Sequence, residues 1–414
     1  MNRQTKPLFP RIAVLTFAAQ LVLAPLARAY IRDYVMPASG GCPVVERQNI
    51  ASGVPSLQRQ WSTSLPVIRP PVIVTVATQG TIAQLDEIEN TITAAYGIWS
   101  GVTGTLVSAS SFPNALGPLA RTATQNACSP DPVNAVQSGV DGVNTICFNQ
   151  SSSAFTTGVL SFTRVVVADA PGQIFGSAPA TVFAGQIVDA DIYFRNDGQA
   201  TFATPGALSN VPGAYDLESL LAHELGHVFG LDHSAVWRAM MFPFAPSPGT
   251  FTGDRPSSAS PDAPLADDDR AGLRSLYSDP ADAVNVGYIR GRVMPANPFA
   301  LADFPATSPG EYVSGIFGAQ VVAVDASDGS VIEATLGGWS CDASTVAPVV
   351  KFDGSYTLGP LPVGRSYIIY AEPFVGIVQP SVIAGSTSGL CATGIANSCT
   401  LPAVNTNFMP RVKQ

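Results

Sequence analysis

All three histidines of this 414-residue chain fall within eleven consecutive positions, His223-Glu224-Leu225-Gly226-His227-Val228-Phe229-Gly230-Leu231-Asp232-His233. His223 and His227 are spaced to project from one face of a helix. Gly230 can take a positive φ without steric cost, which ends the helix and lets His233 approach from outside. Three neutral imidazoles with one coordination position left open describe a catalytic zinc site, whereas structural zinc sites are closed by four protein ligands and usually contain thiolate. Glu224 follows the first ligand and stands near enough to act on water at the metal without ligating it. The chemistry this arrangement supports is hydrolysis. A bare His-Glu-x-x-His arises by chance in roughly one percent of chains of this length, and the added Gly and third His lower that by a factor on the order of a thousand.

Such a site needs elements to hold it. Asp216 is placed to N-cap a helix running to Phe229. Thr81-Ile82-Ala83-Gln84 reads as a capping box, and Ile82, Leu85, Ile88, Ile92, Tyr96 and Trp99 then form an apolar stripe at helical spacing. A third helix is expected over residues 265–277; its acidic start suits the positive end of a helix dipole, and Leu273, Leu276 and Tyr277 share one face. Before and between the helices the pattern is β: a β-branched run at 72–76, a longer one at 159–168, and apolar/polar alternation at 187–194.

Residues 223–243 resemble the zinc-binding segment and Met-turn of metzincin metallopeptidases. Ser234 after the third histidine, with Met241-Phe242-Pro243 beyond it, looks like the matrixin branch; serralysins, astacins and adamalysins typically carry other residues there. The helix at 265–277 resembles the closing helix of a matrixin catalytic domain, and the stripe ending Trp99-Ser100-Gly101-Val102-Thr103-Gly104 resembles its long first helix. The resemblance implies an α+β fold: a twisted mixed sheet with an active-site helix. It implies zinc on His223, His227 and His233, Glu224 as catalytic base, and Met241 packing beneath the metal without ligating it, Met240 being the less favoured choice. A soft, adaptable side chain suits that irregular floor. Pro243 and Phe244 would form the wall of a substrate pocket. The implied activity is that of a zinc-dependent endopeptidase acting on proteins or peptides through a zinc-bound water activated by Glu224. In the metzincin arrangement the last strand before the active-site helix, 187–194 here, is expected antiparallel at the sheet edge, where a peptide adds as an extra strand.

The chain also departs from the animal matrixin pattern. No histidine remains for a second, structural zinc; Tyr193 stands where a ligand would be expected and Arg195 where an acidic one would be, so one zinc ion is expected. Asp189, Asp191 and Asp197 leave calcium open, against the plainer reading of a solvated strand face. Pro243-Phe244-Ala245 lacks an aromatic at its third position, so substrate preference does not carry over.

Arg3, Lys6 and Arg11 precede an apolar run over 12–26 that closes with Ala27-Arg28-Ala29, the order of a secretory signal peptide cleaved after Ala29. The run is short for a membrane span and is interrupted by Pro25; no stable span is expected after cleavage, and the compartment is extracellular or periplasmic. Cys42, Cys128, Cys147, Cys341, Cys391 and Cys399 then sit where pairing is permitted. Cys128–Cys147 and two of the three C-terminal cysteines are the expected pairs. Matrixins are commonly held latent by a pro-segment cysteine, and residues 30–65 are a candidate pro-segment. Gly40-Gly41-Cys42-Pro43-Val44 does not match the usual motif, however, and an even cysteine count favours a disulfide for Cys42.

Only 12% of residues are charged and the net charge is −9, which excludes a basic nucleic-acid surface. The length suits two domains. A catalytic region at 66–278 ends in the boundary Ser278-Asp279-Pro280-Ala281. Short strand patterns at 287–293, 318–324, 352–358 and 361–367, with Asp-Gly turns, argue for an antiparallel sandwich over 286–380. This part resembles the transthyretin-like regulatory domain of carboxypeptidases, which implies an adhesion or stabilising module without chemistry. Residues 381–414 form a Ser/Thr/Gly/Ala-rich extension. Two other classes compete with the peptidase: a catalytically silent secreted adhesion or binding protein on a metallopeptidase scaffold, and a zinc amidohydrolase of non-protein amides. The oligomeric state does not follow from the sequence.

Overall fold

The computed structural model describes residues 30–32, 72–75, 82–107, 120–122, 144–150, 155, 157–167, 172–173, 181–182, 187–195, 197–234, 236, 239–253, 255, 263–294, 312–313, 315–316, 319–337, 340–342, 349–352, 354–372 and 411–413. The expected signal peptide, the Thr81 cap, and Cys42, Cys128, Cys391 and Cys399 lie outside them, as does most of 30–65 and of 381–414.

Two helices, α1 (Ile82–Ser100) and α2 (Leu217–Val228), pack against each other. Along the expected α1 stripe, Ile92 and Trp99 are inaccessible, as are Ala95 and Ile98 between them, while Ile88 and Tyr96 are partly buried against the same core. Each large apolar side chain so removed from water contributes about 1.5–3 kcal/mol. The Trp99 indole also needs a partner, and Nε1 donates to the carbonyl of Ala222 at 2.8 Å, fastening α1 to α2 one residue before His223. A third helix, α3 (Asp267–Tyr277), buries Leu273, Leu276 and Tyr277. The Tyr277 hydroxyl donates to the carbonyl of Phe229 at 2.7 Å, satisfying one of the groups left open at the end of α2.

Strands β1 (Val72–Thr75), β2 (Ala120–Thr122), β3 (Asn144–Gln150), β4 (Ser161–Val167) and β5 (Ile187–Arg195) form one sheet in the order β2-β1-β3-β5-β4. All neighbours are parallel except β4, which runs antiparallel along β5 with Ser161 opposite Phe194. This corrects the sequence expectation. The antiparallel edge strand is 161–167, and the strand before α2 lies one place further in. Burial gives the reason: Ile192, Tyr193 and Phe194 are consecutive and all buried, as an interior strand covered on both faces must be. Residues 161–165 are all only partly buried.

A short strand, β6 (Leu231–Ser234), carries His233 and pairs antiparallel with Tyr30–Arg32. After a 3₁₀ turn at Pro280–Asn285 the regular elements among the described residues are strands. Strands β7 (Val286–Arg292), β8 (Ala319–Asp325), β9 (Val331–Gly337), β10 (Ser355–Pro362), β11 (Tyr367–Glu372) and β12 (Arg411–Lys413) follow. Four of them make an antiparallel sheet, β9-β8-β11-β12, and β7 pairs antiparallel with β10. Val321, Ala323, Ile332, Leu358 and Leu361 form their core. Two details differ from expectation. The strand expected over 361–367 is split: Leu361 and Pro362 end β10, the chain turns at Gly364 (φ 79°), and Tyr367 opens β11. Tyr312–Val313 also runs parallel to Val349–Phe352, so the pairing is not uniformly antiparallel. Strand β9 packs on α3, where the Ala334 amide points at Asp268 Oδ1 at 3.3 Å.

Candidate active site

The helix that carries the first two histidines is held at both ends. At its start, the Asp216 side chain accepts from the Ser219 amide at 3.1 Å, satisfying one exposed N–H of the first turn. Arg255 bridges Asp216 and Glu218 from the following loop and lies over the Phe251 ring. Burial pushes the Glu218 carboxyl up while Arg255 draws it back. At the other end, the Gly230 amide donates to the carbonyl of His227 at 2.8 Å and Gly230 adopts φ 95°, as the turn toward His233 requires.

That turn brings the three imidazoles together. Their ring centroids lie 4.9, 5.0 and 5.3 Å apart, and one nitrogen from each ring lies within 4.8 Å of the others. The nitrogens facing away settle which atoms are ligands. His223 Nδ1 is 2.7 Å from the carbonyl oxygen of Met240, and His227 Nδ1 is 2.8 Å from that of Leu231. A carbonyl can only accept, so each Nδ1 carries the hydrogen and each Nε2 keeps its lone pair. A neutral, nitrogen-only donor set of this kind fits zinc. Among the described residues this is the only group of three or more His, Cys, Asp or Glu side chains placed to hold a metal ion.

Gly226 lies between the two helical histidines. A Cβ there would collide with the Met241 sulfur and stand 2.8 Å from the Trp99 ring. Glycine therefore makes room for the fully buried Met241. Met240 serves differently, lining the cavity while its carbonyl orients His223. Both amides are held by Asp269 of α3, which accepts from Met240 N at 2.8 Å, Met241 N at 3.2 Å and Ala266 N at 2.9 Å. Burial pushes the Asp269 carboxyl up, and the three amides oppose that.

Glu224 is 3% exposed. Its carboxylate accepts from two hydroxyls of β4: Ser161 Oγ at 2.6 Å on Oε1, and Thr163 Oγ1 at 2.5 Å on Oε2. These groups and the three histidines line one cavity of about 940 Å³. Away from the triad it is bounded by Tyr215, Leu220, Phe242 and Phe251, and Pro243 and Phe244 also line it.

Where the sequence left calcium open, Asp191 and Asp197 are otherwise engaged. The Tyr193 ring stacks on Phe162 at 5.0 Å and its hydroxyl donates to Asp191 at 3.2 Å. Arg195 donates to both oxygens of Asp197, at 2.9 and 2.6 Å. The Arg195 hydrogen bonds hold the Asp197 carboxyl down at about 2. The Asp189 side chain lies outside the described residues, and no calcium site follows from the other two. Cys147 is buried and disulfide-bonded. Among the described residues no helix is long and apolar enough to cross a membrane.

The sequence reading missed Ser161, Thr163 and Asp269. The first two share a strand face by their alternate spacing, a signal hidden by misplacing the edge strand. Asp269 was read only as helix-dipole charge, because nothing local ties it to Met240 and Met241.

Residues 161–278 match the family model described as matrixin, peptidase M10. Metalloendoproteinase 1 of Glycine max is 39% identical over 109 residues, 26% of this chain and 30% of that protein. Stromelysin-3 of Rattus norvegicus is 34% identical over 112 residues, 27% of this chain and 18% of that protein. Matrilysin of the same species is 35% identical over 109 residues, 26% of this chain and 33% of that protein. The chain thus spans about a third or less of the length of these relatives. The matched region contains the histidine triad, Glu224, Met241 and all of α3; such a match implies a metzincin α+β fold, and the described residues form helices and a mixed sheet.

Proposed function

We propose that this protein is a secreted zinc-dependent endopeptidase with one catalytic ion. The observation that carries the reading is the convergence of one nitrogen from each of three imidazoles, the Nε2 atoms of His223 and His227 among them, in the cavity that the Glu224 carboxylate also lines. His223, His227 and His233 hold the zinc, which when bound makes water more acidic, toward a pKa of about 7, and polarises a carbonyl. Glu224 takes a proton from the attacking water and delivers it to the leaving amine. The edge strand β4 faces the same cavity through Ser161, Phe162 and Thr163. An extended peptide adds along this edge by main-chain hydrogen bonds, which gives affinity with little sequence preference.

The remaining assignments complete the reading. Residues 1–29 are a signal peptide and 30–65 a candidate pro-segment, with Cys42 either a disulfide partner or a latency thiol. The catalytic domain is 66–278, with Cys128 the partner of Cys147. Residues 286–380 are a transthyretin-like sandwich serving adhesion or stability, and 381–414 an extension.

The test measures zinc in the purified protein and its cleavage of casein with and without a chelator. The expected result is about one zinc per chain and cleavage that stops on chelation and returns with added zinc. Zinc without cleavage would leave a scaffold or an amidase of other substrates. No zinc would sink the enzymatic reading.

A further inference from the structure

We infer that Ser161 and Thr163 are positioning residues that fix the Glu224 carboxylate for proton transfer; the inference rests on the peptidase reading. Their two hydroxyls are the donors that reach this carboxylate among the described residues. Residues 161 and 163 alternate along β4 and so share one face of the strand. That face looks onto α2, and Ser161 takes one carboxylate oxygen while Thr163 takes the other. The Thr163 hydroxyl also lies 3.1 Å from the Glu224 carbonyl. Its single proton goes to the charged acceptor at the shorter distance, and hydrogen bonds to charged groups are the stronger ones.

The geometry restrains rather than blocks the base. An ionised carboxylate offers about four lone-pair sites. The two hydroxyls occupy one site on each oxygen, which leaves one on each for the proton of an attacking water. A glutamate has three rotatable side-chain bonds, and Glu224 lines a roomy cavity of about 940 Å³. Without these donors its carboxylate would sample several rotamers there. With them, both oxygens are tied to the strand along which the substrate is proposed to lie. Base and substrate edge then share one rigid element, which keeps the reacting groups in register.

The consequence is specific to turnover. Neither hydroxyl approaches a histidine ring nitrogen closely enough to bond it, so removing them leaves the zinc ligands in place. The experiment compares the full chain with Ser161→Ala, Thr163→Val and the double variant. An internally quenched peptide taken from a casein cleavage product is the substrate, and zinc content and thermal midpoint are measured in parallel. The expected result is a fall in kcat of about 10-fold for each single variant and about 100-fold for the double, with KM, zinc content and midpoint near wild type. Ser161→Thr and Thr163→Ser, which keep a hydroxyl, should restore most of kcat. Unchanged kcat in the double variant would overturn the inference. So would a loss of zinc parallel to the loss of kcat, or failure of the hydroxyl-retaining variants to recover. A wild-type protein that binds zinc but cleaves no peptide would instead defeat the peptidase reading itself.

Discussion

The two halves of this molecule bury polar groups for different ends. In the first, the buried carboxylates are aimed at the histidine site or its supports: Asp216 caps α2, Asp269 holds the Met240 and Met241 amides, and Glu224 faces the cavity. In the second, the buried Asp325 serves its own turn. Asp325 accepts from the Ser327 amide at 2.8 Å and hydroxyl at 2.6 Å, and Arg365 bonds it from the side. Each half has an apolar core, and in the first the histidines and Glu224 gather around an open space. Chemistry needs that convergence, whereas stability alone does not.

If that contrast is right, substitutions in the two halves should separate. The largest effect belongs to Glu224→Ala. It should lower peptide cleavage by about 10²–10⁴-fold while atomic absorption finds zinc retained. Equal cleavage in that variant would remove the base. Next is Asp269→Ala, which leaves three amides without their acceptor and should cost about 3–5 kcal/mol in urea unfolding. Zinc affinity should fall with it, because Met240 orients His223. A loss of stability without loss of zinc would separate the Met240–Met241 segment from the triad.

Arg195→Ala tests the ion pair in the place where a further metal was considered. Asp197 has a depressed carboxyl, so its contribution is present above the ordinary aspartate range and disappears as pH falls through about 2. The variant should begin acid unfolding at higher pH than wild type, by a fraction of a unit, followed by circular dichroism below pH 4. An identical acid limb would mean the pair contributes nothing. The smallest effect should come from Asp325→Asn. It should lower the thermal midpoint slightly and leave kcat and zinc untouched; a change in kcat there would break the proposed division between the halves.

Much of the site was legible because its signals are local. His223, His227, Gly230 and His233 are set by helical repeat and by the turn freedom of glycine, both of which act over a few residues. Asp216 as a cap and the buried stripe of α1 were readable for the same reason. The position of β4 was not, since apolar alternation gives a strand its faces and not its neighbours. Once residues 187–194 were placed at the edge, the hydroxyls of Ser161 and Thr163 had no visible connection to Glu224, sixty residues away.

By itself, the sequence determined the histidine cluster and the carboxylate beside it, because one helix face and one turn suffice to bring imidazoles together. Only the tertiary structure decided what holds them. The contacts from Ser161, Thr163, Trp99 and Asp269 to the site cross long stretches of chain, and their partners are chosen by how sheet and helices pack rather than by spacing along the backbone.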